Sequence, residues 1–148
     1  HKLRYRLTYM PGRYIFRTTI DYNHFRQQDG EGYRFDRRQG YQCTQFCSYT
    51  FPFPLSVSVQ GTWFHTDDYD SRIYVSEKGL VYTFYTPSFY GSGFRYSAHI
   101  RCDLNKTFMF LVKFGQTAYR DRETIGSGND LIEGNTKTDL QMQFRVKF

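Results

Sequence analysis

The stretch Thr136-Lys137-Thr138-Asp139-Leu140-Gln141-Met142-Gln143-Phe144-Arg145-Val146-Lys147-Phe148 alternates without a break. Leu140, Met142, Phe144, Val146 and Phe148 fall on one side, and Asp139, Gln141, Gln143, Arg145 and Lys147 on the other. Successive side chains of an extended chain point to opposite faces, so this period of two predicts a strand with one apolar and one polar face.

The pattern recurs upstream. Phe94, Tyr96, Ala98, Ile100, Cys102 and Leu104 oppose Arg95, Ser97, His99, Arg101 and Asp103. Leu55, Val57, Val59 and Trp63 oppose Ser56, Ser58, Gln60 and Thr62. Leu3, Tyr5, Leu7 and Tyr9 oppose Lys2, Arg4, Arg6 and Thr8, and Tyr14, Phe16, Ile20 and Tyr22 oppose Arg17, Asp21 and Asn23. With 14 Tyr and 15 Phe in 148 residues, the composition suits pleated surfaces better than helices. The expected fold class is all-β, an antiparallel meander of about eight to nine strands in one domain spanning 1–148.

Turn signals give the meander its ends. Pro11-Gly12, Pro52-Phe53-Pro54 and Asn105-Lys106 are short, whereas 27–39, 66–71 and 121–135 are long and polar. Short turns at one end and long loops at the other are the habit of outer-membrane β-barrels. To keep every short turn on one side, the stretch 72–86 is read as a hairpin turning at Glu77-Lys78-Gly79. That gives about nine strands and puts Phe148 on the short-turn, periplasmic side. An odd count beginning with a descending strand leads us to expect further strands before His1.

Mean hydropathy of -0.67 is no objection, because a transmembrane barrel sends every second residue into a polar lumen. No apolar run approaches the roughly 20 residues of a spanning helix, and no signal peptide is visible. The net charge of +6 is spread over many strands among acidic residues, which reads as lumen and rim charge rather than a nucleic-acid patch. Alternation alone does not say which face meets water. A soluble lipocalin-like barrel with apolar residues inward is the main rival. A surface scaffold whose loops bind a partner is a third reading. Aromatics near strand ends, a mixed polar face and the abrupt aromatic terminus favour the membrane barrel.

Two loop stretches carry a resemblance. Asp67-Asp68-Tyr69-Asp70-Ser71-Arg72-Ile73-Tyr74 and Tyr119-Arg120-Asp121-Arg122-Glu123-Thr124-Ile125-Gly126-Ser127-Gly128, followed by Ile132-Glu133-Gly134-Asn135 and the closing strand, resemble the C-terminal β-rich region of Bacteroidota outer-membrane proteins labelled helix-hairpin-helix domain-containing. The resemblance covers most of the chain and is most specific at Ile125, Gly126, Ser127 and Gly128. It implies an outer-membrane barrel, with lipid and lipopolysaccharide as surroundings and the barrel assembly machinery receiving the terminal strand Phe144, Val146 and Phe148. The helical module itself has no counterpart in these residues, so no link to nucleic acid carries over.

Candidate chemistry is sparse. Asp67, Asp68 and Asp70 could offer hard oxygens to Ca²⁺, but such clusters more often shape turns. An Asp70–Arg72 pair fixing the loop is a further reading, resting on the resemblance. The acidic and basic residues of 121–135 could meet lipopolysaccharide through divalent ions, or fold inward as a plug. Gly126-Ser127-Gly128 lacks the Lys-Ser/Thr of a phosphate-binding loop. Cys43 and Cys47 lie about 13 Å apart on one strand, too far to bridge; pairing of either with Cys102 stays open. No metal motif and no cofactor are expected. His24, His65, His99 and Ser97 form no nucleophile–base constellation, Ser97 and His99 being about 7 Å apart along the strand, so no enzyme is expected. The residues expected to line a lumen are Arg4, Arg6, Arg17, Asp21, Arg95, His99, Arg101, Asp103, Asp139, Arg145 and Lys147. In a wide barrel they would favour anions; in a narrow one they would form a salt-bridged plug.

Overall fold

The computed structural model describes residues 2–28, 35–69, 71–82, 86–105, 107–126 and 128–146. Seven long strands dominate it: β1 (Lys2–Tyr9), β2 (Tyr14–Gln28), β3 (Phe35–Thr50), β4 (Leu55–Thr66), β7 (Ser92–Asp103), β8 (Phe108–Tyr119) and β11 (Thr136–Val146). They form one antiparallel sheet in the order β1-β2-β3-β4-β7-β8-β11. Each neighbour in the sheet is the next long strand along the chain, so the sheet is a pure meander. Two small pairs lie in the connections: β5 (Ile73–Tyr74) with β6 (Ser88–Phe89), and β9 (Thr124–Ile125) with β10 (Ile132–Glu133). Among the described residues β1 and β11 each pair on one side only, so the sheet has two free edges.

The short turns are built as their residues dictate. Gly12 adopts φ +61°, which closes the turn in which the Tyr14 amide donates to the Pro11 carbonyl at 3.1 Å. Asn105 Oδ1 accepts from the amides of Thr107 and Phe108, both at 2.8 Å, mimicking a backbone turn. At Pro52–Pro54 the Phe51 amide donates to Leu55 O at 2.9 Å. All three turns lie at one end of the sheet. The long connections between β4 and β7 and between β8 and β11 leave and rejoin the sheet at the other end, where β2 also ends and β3 begins.

The expected hairpin of two spanning strands over 72–86 is not present. β4 pairs directly with β7 from Leu55↔Cys102 to His65↔Ser92, which leaves no slot for an inserted hairpin. The count of about eight to nine strands is therefore corrected to seven long strands. The stretch has no sustained alternation, and its backbone polar groups find other partners. β5, paired with β6 beyond the stretch, is its only strand among the described residues; Ser76, Glu77 and Val81 instead lie against side chains of the sheet's polar face. With seven long strands, as with nine, β11 runs toward the short turns, where Val146 pairs with Phe108; Phe148 itself lies outside the described residues.

Burial is inverted relative to a water-soluble sheet. On β2, β3, β4, β7 and β8 the polar rows are largely covered, and the apolar rows of the sheet are largely exposed. Thr19, Asp21, Gln42, Thr44, Ser58, Gln60, Arg95, Ser97, His99, Lys113 and Thr117 are all buried. Leu3, Leu7, Ile20, Val59, Ile100, Phe110, Leu140, Met142 and Phe144 are all exposed. Among the described residues a buried apolar cluster of Phe64, Ile73, Val75, Phe89 and Tyr119 sits at the long-connection end with Ile125 packed on it, where segment 67–91 enters the polar face.

Candidate functional site

The polar face and the segment lying on it form the site. Its centre is Glu77, whose carboxylate is 1% exposed. It accepts from Arg95 Nε at 2.5 Å and Nη2 at 3.0 Å, and pairs with Lys113 Nζ at 2.9 Å. Arg95 also donates to Asp139 Oδ1 at 2.8 Å and to Thr117 Oγ1 at 2.9 Å. Four charges from four elements thus balance, two cations against two carboxylates, and the Arg95 guanidinium is held as a planar fork. Gly115 makes this possible. A Cβ there would lie 2.5 Å from Arg95 Nη2 and 2.7 Å from Asp139 Oδ2.

Further bonds hold the segment down. Gln143 brackets Val81, accepting from its amide at 2.9 Å and donating to its carbonyl at 3.1 Å. Gln60 donates to Ser76 O at 3.2 Å, and Arg145 donates to the Tyr82 hydroxyl at 3.2 Å. Along 76–82, backbone groups that would pair in a strand ladder are instead met by side chains of the sheet.

Every described residue of the expected lumen set lies on this face. Arg4 donates to both oxygens of Asp21, at 2.5 and 2.9 Å, and Gln42 also donates to that carboxylate. Arg101 pairs with Asp103 at 2.9 Å near the short-turn end. Arg6 and Arg17 stand on β1 and β2, with the Arg17 guanidinium over the Phe46 ring at 5.4 Å. Lys147 and Phe148 lie outside the described residues. Glu77, Lys78 and Lys113 are site residues that the alternation does not reveal. Glu77 and Lys78 read as a turn in the sequence, and Lys113 sits in a stretch of β8 apolar on both faces.

The apolar face has its own order. Near the long connections Tyr22 pairs with Tyr41, and Trp63 with Phe94, with the Tyr41 and Trp63 rings 5.3 Å apart. Near the short turns Tyr14, Tyr49, Phe51 and Phe53 pack in series at 4.5, 4.7 and 5.0 Å. Polar side chains between these aromatic bands bond each other. Thr18 donates to Gln45 at 2.7 Å, and Tyr96 donates to Gln116, which donates to Thr138 at 2.9 Å. Cys43, Cys47 and Cys102 are all free thiols, which closes the question of a bridge.

Described side chains of the loop motif bond to one another and to nearby backbone. Asp68 Oδ1 accepts from the Ser71 amide and hydroxyl, both at 2.9 Å, and Asp67 Oδ2 accepts from the Gln39 amide at 2.8 Å. Arg72 stacks on Tyr69 at 4.6 Å and donates to the Tyr74 hydroxyl. Asp70 and Ser127 lie outside the described residues, and with Asp70 the Asp70–Arg72 pair. Gly126, at φ +81°, and Gly128, at φ +62°, bound the tip of the β9–β10 hairpin. Beside this loop His65 Nδ1 meets Ser92 Oγ at 2.5 Å, and His65 Nε2 lies 3.7 Å from Asp67. Ser, His and Asp are the residue types of a hydrolytic triad, but the His–Asp distance exceeds a hydrogen bond and neither larger cavity touches them. His65 and Ser92 are a directly opposed cross-strand pair, which a sequence cannot reveal before the register is known.

No family model, no curated protein and no solved structure matches this chain.

Proposed function

We propose that this chain builds part of the wall of a bacterial outer-membrane β-barrel, with segment 67–91 folded against the inner face. The observation that carries the proposal is the inverted burial: charged and amide side chains covered, Leu, Ile, Val and Phe exposed. In water this arrangement leaves a large apolar surface without a partner. In a bilayer it is the arrangement a spanning sheet requires. The 12 residues of β4, β7 and β8 agree in length. At about 3.4 Å per residue and a tilt near 45°, each covers about 26 Å along the membrane normal, close to the height of a barrel's apolar band. The two aromatic bands lie where interfacial girdles belong, and the bonded polar pairs between them fit a setting without water to satisfy them.

On this reading lipid covers the apolar face, lipopolysaccharide meets the long connections, and the assembly machinery receives β11. The free edges of β1 and β11 are closed by further strands. Both edges run in the same direction, so an antiparallel closure needs an odd number of them. The segment over the polar face favours an occluded or gated wall over an open pore, and no catalytic role is proposed. The lipocalin alternative places apolar residues inward, where this sheet carries Thr19, Asp21, Gln42 and Arg95.

Val59→Arg tests the proposal. Val59 is 50% exposed in the middle of β4 on the apolar face. Against lipid the substitution costs about 2–4 kcal/mol at mid-depth; on a water-exposed surface it is close to neutral. Unfolding titrations in phospholipid vesicles should show that loss. A wild-type chain that stays folded and monodisperse without detergent or lipid would overturn the reading.

A further inference from the structure

Segment 67–91 does not seal the polar face. A cavity of about 170 Å³ remains between it and the first four strands, lined by Arg6, Arg17, Thr19, Thr44, Gln60 and Lys78 among others. That is room for about five or six waters at roughly 30 Å³ each, or for one phosphate group with a small substituent. Two carboxylates reach its edge, and both are engaged. Asp21 is held by Arg4 and Gln42. Glu77 turns away to Arg95 and Lys113. Among the described residues, Arg6, Arg17 and Lys78 are left with no carboxylate.

The unpaired charge sits close together. The Arg17 guanidinium and the Lys78 ammonium both stand over the Phe46 ring, at 5.4 and 5.2 Å from its centre. The ring face offsets part of the charge but supplies no hydrogen-bond acceptor. Arg17 Nε is buried and has no partner among the described residues, a costly state for a guanidinium donor. Lys78 has, among them, only the Ser48 hydroxyl, at 3.4 Å. Its ammonium is held below its ordinary pKa by burial, and then by the positive charges of Arg17 and Arg101. Around it stand His99 and Arg101 on β7, Arg17 on β2 and Phe46 on β3.

We propose that this cavity is a binding site for an oxyanion of the phosphate class, gripped between Arg17 and Lys78. The guanidinium fork matches two oxygens of a tetrahedral anion, and the ammonium supplies a point charge opposite. The hydroxyls of Thr19 and Thr44 and the amide of Gln60 line the remaining wall. The site needs only the polar face and the segment lying on it. It therefore stands or falls apart from the membrane reading.

The test is a titration of the full chain, in whatever medium keeps it folded, with inorganic phosphate at constant ionic strength. Calorimetry and melting temperature are read together. A single saturable event that raises the melting temperature is expected. Arg17→Gln and Lys78→Gln should each weaken it at least tenfold while melting no lower than wild type without phosphate, because each removes an unpaired cation. Arg120→Gln, exposed at the long-connection end and outside this cavity, should leave it unchanged. Glycerol phosphate in place of phosphate separates the sources: tighter binding points to a lipid headgroup, equal binding to the free ion, and either supports the site. Phosphorus NMR line broadening on the wild-type chain gives the same reading should a variant fail to fold. Absence of a saturable event, an equal response to chloride, or a response that survives both substitutions would overturn the proposal.

Discussion

The two halves of the polar face solve the burial of cations differently. Under β7, β8 and β11, Arg95 and Lys113 are as buried as residues can be, 3% and 2% exposed, yet each meets a carboxylate of Glu77, and Arg95 meets Asp139 as well. Under β1, β2 and β3, Arg4 alone has its acid among the described residues, and Arg6, Arg17 and Lys78 surround open space. Glu77 and Lys78 are chain neighbours placed on this divide, so one segment neutralises the cations of one half and adds charge to the other. Closed charge networks rigidify a structure, whereas unbalanced ones are where ligands or missing elements belong. The contrast teaches that segment 67–91 is not merely filler: it is locked by paired charge on one side and lines a cavity walled by unpaired cations on the other.

Removing the lock should have the largest effect. Glu77→Gln keeps the shape but strips the charge shared by two buried cations. Breaking a buried ion pair from one side costs about 3–5 kcal/mol, here toward the lower end because Asp139 still faces Arg95. Denaturant unfolding should show that loss, with faster amide exchange at Val75 to Val81 as the segment lifts. A change below about 1 kcal/mol would mean that Gln143 and Gln60 hold the segment without it.

Gly115→Ala attacks the same half without touching a charge. The added methyl would meet Arg95 and Asp139 side by side. Overpacking of this kind costs about 1–3 kcal/mol. The same substitution at Gly61, on the apolar face, meets only the edge of the Phe94 ring at 3.2 Å, which can swing aside, and should cost less. Paired melts of the two variants measure how rigid the balanced network is. Equal losses would show that Gly115 makes no special room for the Arg95 fork.

Much of the wall is legible because a strand writes its two faces into the sequence with period two. The order of the meander follows from the spacing of Pro11-Gly12, Pro52 to Pro54 and Asn105-Lys106, and the same alternation places the polar row Arg95, His99 and Asp139. Segment 72–86 misleads because parity arguments see only even numbers of crossings: two strands and none leave every other strand in place. Its true partners are side chains such as Gln143, 62 residues away from Val81, and no local pattern encodes them. Lys113 is hidden for a related reason. Its neighbours Leu111 and Val112 lie on opposite faces and are both apolar, so the alternation that would mark it as inward is lost just where Glu77 reaches β8.

The pair Asp121–Arg122, at the long-connection end beyond the sheet, supplies the exposed reference for both halves. Arg122 donates to Asp121 at 2.9 Å and to Tyr90 O at 2.9 Å, and its guanidinium stacks between the rings of Tyr90 and Tyr119 at 4.2 and 4.3 Å. Burial pushes the Asp121 carboxyl up, but the hydrogen bond and charge of Arg122, with the Ser92 backbone, outweigh it and hold the carboxyl below its ordinary range. A lowered folded value means that the pair contributes its full stability above the unfolded pKa, near 3.9, and loses it as pH falls through the folded value. Wild type and Asp121→Asn should therefore differ by about 0.5 kcal/mol near pH 7, the scale of a solvent-screened pair, and the gap should shrink as pH falls below about 3.9. Melting temperatures across that range test it. A gap that persists at low pH would assign the loss to the hydrogen bonds at Ser92 rather than to charge.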